Sequence, residues 1–296
     1  DRIGRLVENL YKKMPEIEAD RAVLLTESYR QTEGEPIILR RAKAFAHILK
    51  NIPITIRDEE LIVGSATQAP RGCQTFPEYS FEWLEAELDT VETRSADPFY
   101  IAEDTKKTLK EVHKYWKGRT TSDLATSYMA PETLLAMEHN IFTPGNYFYN
   151  GVGHVTVDYG KVLAIGYNGI IKEIEAAREK CDFGDSDYAE RAHFLDAAKE
   201  SCEAVITYAN RYAKLAREEA EACADAKRKQ ELLTIAENCE KVPANGATSF
   251  YEACQSFWFV QMLIQTEGSG HSISPGRFDQ YMYPYYKKDL EEGRIT

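Results

Sequence analysis

Long apolar runs are missing from the 296 residues. Stretches such as Phe257-Trp258-Phe259-Val260 fall far short of the roughly 18 residues that a membrane-crossing helix needs. No basic segment followed by an apolar one opens the chain, so a signal peptide is not expected and a cytoplasmic protein is. Basic residues are outnumbered: 36 lysines and arginines face 48 aspartates and glutamates, a net charge of −12. An acidic chain repels phosphate backbones, which argues against nucleic acid as a partner. The six cysteines (73, 181, 202, 223, 239 and 254) form no Cys-x-x-Cys pair. A chain of this length needs no disulfide framework. Five of the six fall in amphipathic helical patterns, where cysteine behaves as a small buried hydrophobe, so free thiols in a reducing compartment are expected. Repeats and low-complexity tracts are also missing. What is present is an apolar fraction of 43%, enough for a packed core. No linker divides the chain, so residues 1–296 read as one unit without an internal boundary.

Helix signals dominate. Residues 20–33 predict a helix stopped by Gly34, and Pro36 opens a second whose apolar face runs through Ile38, Leu39, Ala42, Phe45, Ala46 and Leu49. Leu61-Ile62-Val63, closed by Gly64, is the best strand candidate in the first hundred residues. Residues 66–77 read as loop; 78–91 and 103–116 read as helices. Between Ile141 and Tyr159 periodicity fails in a run of glycines, a proline and aromatics. Helix returns at 160–180. The longest covers about 188–223, with Phe194, Leu195, Ala198, Cys202, Val205, Ala209, Tyr212, Ala213 and Ala216 in one stripe. Leu232, Leu233, Ala236 and Cys239 mark another helix. Ser249, with Glu252 three residues on, has capping-box spacing before a helix reaching about Thr266. The glycine-rich segment 267–276 breaks that helix, and an aromatic, amphipathic tail follows.

The breaks at 144–154 and 267–276 each follow a helical region and each carry one histidine. His154 comes after Gly151-Val152-Gly153, where glycines let the backbone approach a ligand closely; a turn histidine bonded to backbone is the plainer alternative. His271 and Ser272 follow Gly268-Ser269-Gly270, and an imidazole beside a hydroxyl suits the hydroxyls of a polyol. No Gly-x-Ser-x-Gly elbow surrounds Ser272. Arg277 and Asp279 read as a structural ion pair rather than as catalysts. His47, His113, His139 and His193 lie on helices without metal-ligand spacing, His-Glu-x-x-His is absent, and all four read as surface or core residues. Lys227-Arg228-Lys229 reads as a solvated helix start. No P-loop is present. Residue types and spacing thus point to a small polar ligand and no metal, and they leave the reaction open.

Three stretches carry a resemblance. Gly145-Asn146-Tyr147-Phe148-Tyr149-Asn150 through His154 to Leu163 resembles the glycyl radical enzymes, as do Gly270-His271-Ser272-Ile273-Ser274 through Arg277-Phe278-Asp279-Gln280 and the opening from Arg21 to Gly64. The likeness covers essentially the whole chain and is strongest to the diol dehydratases that work on glycerol or propanediol without coenzyme B12. Choline lyases, hydroxyproline dehydratases and pyruvate formate-lyase itself are the other members weighed, and a non-catalytic helical binding module is the reading outside enzymes. The resemblance implies an α/β fold built on a ten-stranded barrel, with this chain as its predominantly helical N-terminal portion. It implies a catalytic cysteine loop and a C-terminal radical glycine, yet no Cys-x-Glu and no Arg-x-x-Gly occurs here. The chain by itself is therefore expected to be inactive. In the whole protein the resemblance implies a glycyl radical installed by a radical S-adenosylmethionine activase, a homodimer, and removal of water from a vicinal diol to give an aldehyde. His154 matches the histidine that protonates the departing hydroxyl. Asn146, His271 and Ser272 match positions that bond the substrate hydroxyls.

Overall fold

The computed structural model of the chain describes residues 1–142, 150–151 and 153–296. In chain order its elements are α1 (Arg2–Tyr11), β1 (Glu16–Glu18), α2 (Asp20–Gln31), α3 (Ile37–Asn51), β2 (Gly72–Gln74) and α4 (Glu82–Glu87). After a single 3-10 turn at Val91–Thr93 come α5 (Glu103–Trp116), α6 (Thr121–Ser127), α7 (Pro131–Glu138) and α8 (Tyr159–Arg178). The last four are α9 (Tyr188–Ala222), α10 (Ala226–Lys241), α11 (Phe250–Gly268) and α12 (Phe278–Glu291). The chain is thus predominantly helical, as expected. The strands β1 and β2 pair in parallel, Glu16 opposite Gly72 and Glu18 opposite Gln74.

The main core forms along α9, which packs against α3 on one side and α10 on the other. Small residues make that contact close: Ala204, Ala209, Ala213, Ala216 and Ala220 are all buried. Tyr208, Tyr212 and Phe259 bring α11 onto the same cluster, with Tyr208 and Phe259 ring centroids 5.9 Å apart. The expected stripe begins late. Phe194 is 57% exposed, and continuous burial along the stripe begins at Cys202. A smaller cluster of Tyr159, Val162 and Val260, with Phe257 and Tyr281 against it, joins α8, α11 and α12.

Five expectations are corrected. Leu61-Ile62-Val63 is not a strand. The Gln255 side-chain amide bonds both backbone groups of Val63, accepting from its N–H at 2.9 Å and donating to its carbonyl at 2.7 Å. Tyr212 and Tyr208 do the same for Ser65. Helical side chains thus occupy the place of a neighbouring strand. The 66–77 loop contains β2. The 78–91 helix is confined to α4, because the carbonyls of Glu78 and Tyr79 accept the first backbone N–H groups of α6. Arg277 and Asp279 form no ion pair; Arg277 precedes the first turn of α12, and Asp279 lies within that turn, where its charge favours the helix N-terminus. Arg228 is not solvated: it is half-buried and donates to the carbonyls of Arg57 and Glu60.

Other expectations are refined. All six cysteines are free thiols, but Cys181 and Cys223 lie just past helix ends, while Cys202 and Cys239 are buried. Ser249 caps α11 by accepting from Glu252 N–H, but the Glu252 carboxylate reaches one residue further back, to Thr248 N–H.

Candidate functional site

One glycine-bearing segment leads into α8 and the other follows α11, and the fold draws the two together. His154 N–H donates to the His271 carbonyl at 3.1 Å, and Ser274 N–H donates to the Val155 carbonyl at 2.9 Å. Thr156 and Ser274 complete a short parallel bridge. Gly151 N–H donates to the Ser269 hydroxyl at 3.2 Å. The glycines are required by the closeness of this approach. A Cβ on Gly153 would fall 1.5 Å from the His271 carbonyl oxygen, and one on Gly151 would fall 2.7 Å from that of Gly268. Gly151 and Gly153 are thus each pressed against the loop that carries His271. The backbone is turned at His154, with φ of 61°, and the partner loop turns at Ser269, Gly270 and Ser272.

The result is a histidine pair. The rings of His154 and His271 lie 5.3 Å apart between centroids, tilted by 53°. His154 is exposed, and His271 is half-buried. Ser272 follows at φ of 55° and is exposed. Asn146 lies outside the described residues. Among the described residues no group of three or more histidine, cysteine, aspartate or glutamate side chains gathers as a metal site.

Beneath the pair lies a charged cluster that sequence reasoning missed. Arg21, on α2, is fully buried and forks onto Glu78, with nitrogen–oxygen distances of 2.6 and 3.1 Å. The same guanidinium donates to the Thr266 carbonyl at 2.6 Å and lies 3.8 Å from the centroid of the Phe76 ring. Arg41, on α3, bonds Glu78 at 3.1 Å and Tyr79 Oη at 3.2 Å, and pairs with the Glu267 carboxylate. Both arginines also donate to the Glu267 carbonyl. Two cations therefore close the C-terminus of α11, where the helix leaves unpaired carbonyls, and fix the point from which the His271 loop departs. Tyr79 Oη also lies 2.8 Å from where a Gly151 Cβ would be, so the cluster abuts both loops.

Burial pushes the Glu78 carboxyl up, but Arg21 and Arg41 outweigh it and hold the group below the usual carboxylate range. Burial prevails at Glu267, whose pKa is raised despite Arg41. A signal existed: Arg21 and Arg41 are guanidinium groups on otherwise apolar helix faces, beside Ala22 and Leu25 and beside Ile38, Ala42 and Phe45.

Comparison with known proteins gives this geometry a family. The pyruvate formate lyase-like family model matches residues 1–296. A solved structure from Roseburia inulinivorans, described for 1,2-propanediol dehydration, is 68% identical with a TM-score of 0.97, covering all of this chain and 35% of its own. The glycerol-bound B12-independent glycerol dehydratase of Clostridium butyricum is 57% identical with a TM-score of 0.95, covering all of this chain and 37% of its own. Among curated proteins, the (2S)-3-sulfopropanediol dehydratase of Klebsiella oxytoca is 37% identical over 300 residues, covering all of this chain and 36% of itself. The chain thus spans little more than a third of the length of these relatives. It belongs to the pyruvate formate lyase-like family, and it corresponds to the helical N-terminal portion of a glycyl radical enzyme.

Proposed function

We propose that this chain carries the substrate-holding side of a glycyl radical dehydratase that removes water from a small vicinal diol, glycerol or 1,2-propanediol, and leaves an aldehyde. The observation that carries this reading is the joining of the two histidine loops, with ring centroids 5.3 Å apart. The similarity to structures of propanediol and glycerol dehydratases supports it. A glycyl radical borne elsewhere in the whole protein, and installed by a radical S-adenosylmethionine activase, supplies the one-electron chemistry. The residues of this chain hold the diol and protonate the departing hydroxyl. The His154 imidazole donates the proton that leaves with the departing hydroxyl as water, a role that suits histidine near neutral pH. His271 and Ser272, with Asn146, bond the hydroxyls and hold the diol so that one C–H bond is presented for abstraction. In the whole protein, closure of the barrel excludes water from the bound diol. The same reading carries a homodimer in an anaerobic cytoplasm.

The test is turnover by the whole protein after anaerobic activation, with glycerol and 1,2-propanediol as substrates. His154→Ala is expected to lower turnover at least tenfold, the usual worth of acid catalysis. Unchanged turnover with both diols removes His154 from the mechanism.

A further inference from the structure

Gln261, on α11, is bonded to the chain that leaves each of the two histidine loops. Its amide nitrogen donates to the Ile273 carbonyl at 3.3 Å, and its amide oxygen accepts from the Tyr159 hydroxyl. Ile273 follows Ser272 directly, and Tyr159 opens α8 just after the His154 segment.

Chemistry fixes which way the amide points. A carbonyl only accepts, so the NH2 end faces Ile273 and the oxygen is left for Tyr159, which has to donate. Burial pushes the Tyr159 hydroxyl up to about 12, so its proton is in place at neutral pH. The Tyr159 ring is itself anchored. It is 1% exposed, with Phe257 at 4.8 Å and Tyr281 at 5.5 Å between centroids. Tyr281 in turn donates to the Pro275 carbonyl at 2.6 Å, on the same loop as Ile273.

This brace holds turns that need holding. Ser272 sits at φ of 55° and His154 at φ of 61°. Residues other than glycine persist in left-handed backbone only where their surroundings over-determine them. Backbone bonds from His154 N–H and Ser274 N–H tie the loops to each other. The Gln261 bonds tie the joined pair to α11 and to the start of α8.

We propose that Gln261 is a positioning residue for the dehydration. Through Ile273 it places Ser272 and His271, and through Tyr159 it places the chain that leaves His154. It thereby sets the distance between the groups that hold the diol and the group that protonates the departing hydroxyl. This role rests on the dehydratase reading of the histidine pair; the brace itself does not.

The test is turnover of 1,2-propanediol by the whole protein after anaerobic activation. Gln261→Met keeps the length of the side chain and removes both bonds, and Tyr159→Phe keeps the ring and removes one. Radical content, read by electron paramagnetic resonance, is expected to match the wild type in both, which marks folding and activation as intact. With the loops released, kcat is expected to fall about thirtyfold in Gln261→Met and about tenfold in Tyr159→Phe, while KM changes less than about threefold. The double variant is expected to fall no further than Gln261→Met, because both substitutions break one brace. Unchanged kcat in both single variants overturns the proposal, and so does a raised KM with kcat intact. If radical content drops in Gln261→Met alone, Tyr159→Phe carries the same comparison. A wild type that releases no aldehyde overturns the dehydratase reading, and crystal structures of the whole wild-type and Gln261→Met proteins then decide the brace. The same structures decide it if radical content drops in both variants. In Gln261→Met, residues 271–274 are expected to shift by about 1 Å or more against α11. A segment that stays in place overturns the brace.

Discussion

Arg21 shows how much one side chain decides. Its guanidinium, fully buried, bonds Glu78, the Thr266 carbonyl and the Glu267 carbonyl at once, so three separate stretches meet on it. Removing one partner of a buried pair leaves the other charge without compensation. Arg21→Met is expected to cost about 3–5 kcal/mol in denaturant unfolding, and Arg21→Met with Glu78→Leu should recover much of the loss. A single variant costing under about 1 kcal/mol would make the cluster incidental. His113 supplies a pH dependence. Burial lowers its pKa from 6.5 to about 4, so between those values the unfolded chain binds a proton that the folded chain refuses. Its contribution to stability is therefore complete above pH 6.5 and lost as pH falls toward 4, on the order of 2 kcal/mol after allowance for screening. Thermal midpoints measured across that window should fall more steeply for the wild type than for His113→Phe. Arginine on an apolar face was visible in the sequence at both Arg21 and Arg41, but their carboxylate partners were not. Glu78 is 57 residues from Arg21, and Glu267 is 226 from Arg41, separations that helical periodicity does not span.

At the scale of elements, α8 is the instructive case. The apolar spacing over 160–180 predicts one helix, and the helix is present, but it kinks at Gly166, with φ of 64° and ψ of 178°. That conformation is open almost only to glycine. The backbone groups released by the kink are taken up by the loop after α10: Tyr167 N–H donates to the Pro243 carbonyl, and Asn168 N–H to that of Ala244. A Cβ at Gly166 would lie 2.5 Å from the backbone of Ala244 and Asn245. Gly166→Ala is expected to destabilise by at least about 2 kcal/mol, read as a lowered unfolding midpoint; a neutral effect would mean that the kink relaxes freely. Residues 61–65 show the opposite error. Their composition favours a strand, but the backbone of Val63 and Ser65 is bonded by side chains of Gln255, Tyr208 and Tyr212 instead of a neighbouring strand. Composition reports the preference of a segment and is silent about which neighbour satisfies it.

At the scale of the molecule, the chain matches its family over its whole length and spans about a third of its relatives. The proposed hydroxyl-holding residues are here, and the cysteine loop and radical glycine implied by the resemblance are not in this sequence. The purified 296-residue chain is therefore expected to release no aldehyde from either diol, even after incubation with an activase. Aldehyde formation in that assay would overturn the division of labour proposed above.

The sequence by itself determined the helical character, the long α9, both glycine-bearing breaks and the two histidines in them. These depend on residues three or four apart, or on glycine and proline acting on their own backbone. Only the tertiary structure decided that the two breaks meet. His154 and His271 stand far apart in the chain, and what joins them is a backbone hydrogen bond that glycine at 153 makes room for, above a cluster of two arginines and two glutamates. The chemistry of each residue was local and could be read in order along the chain. Their shared site depends on chain closure, and that became fixed only when α2, α3 and α11 packed against one another.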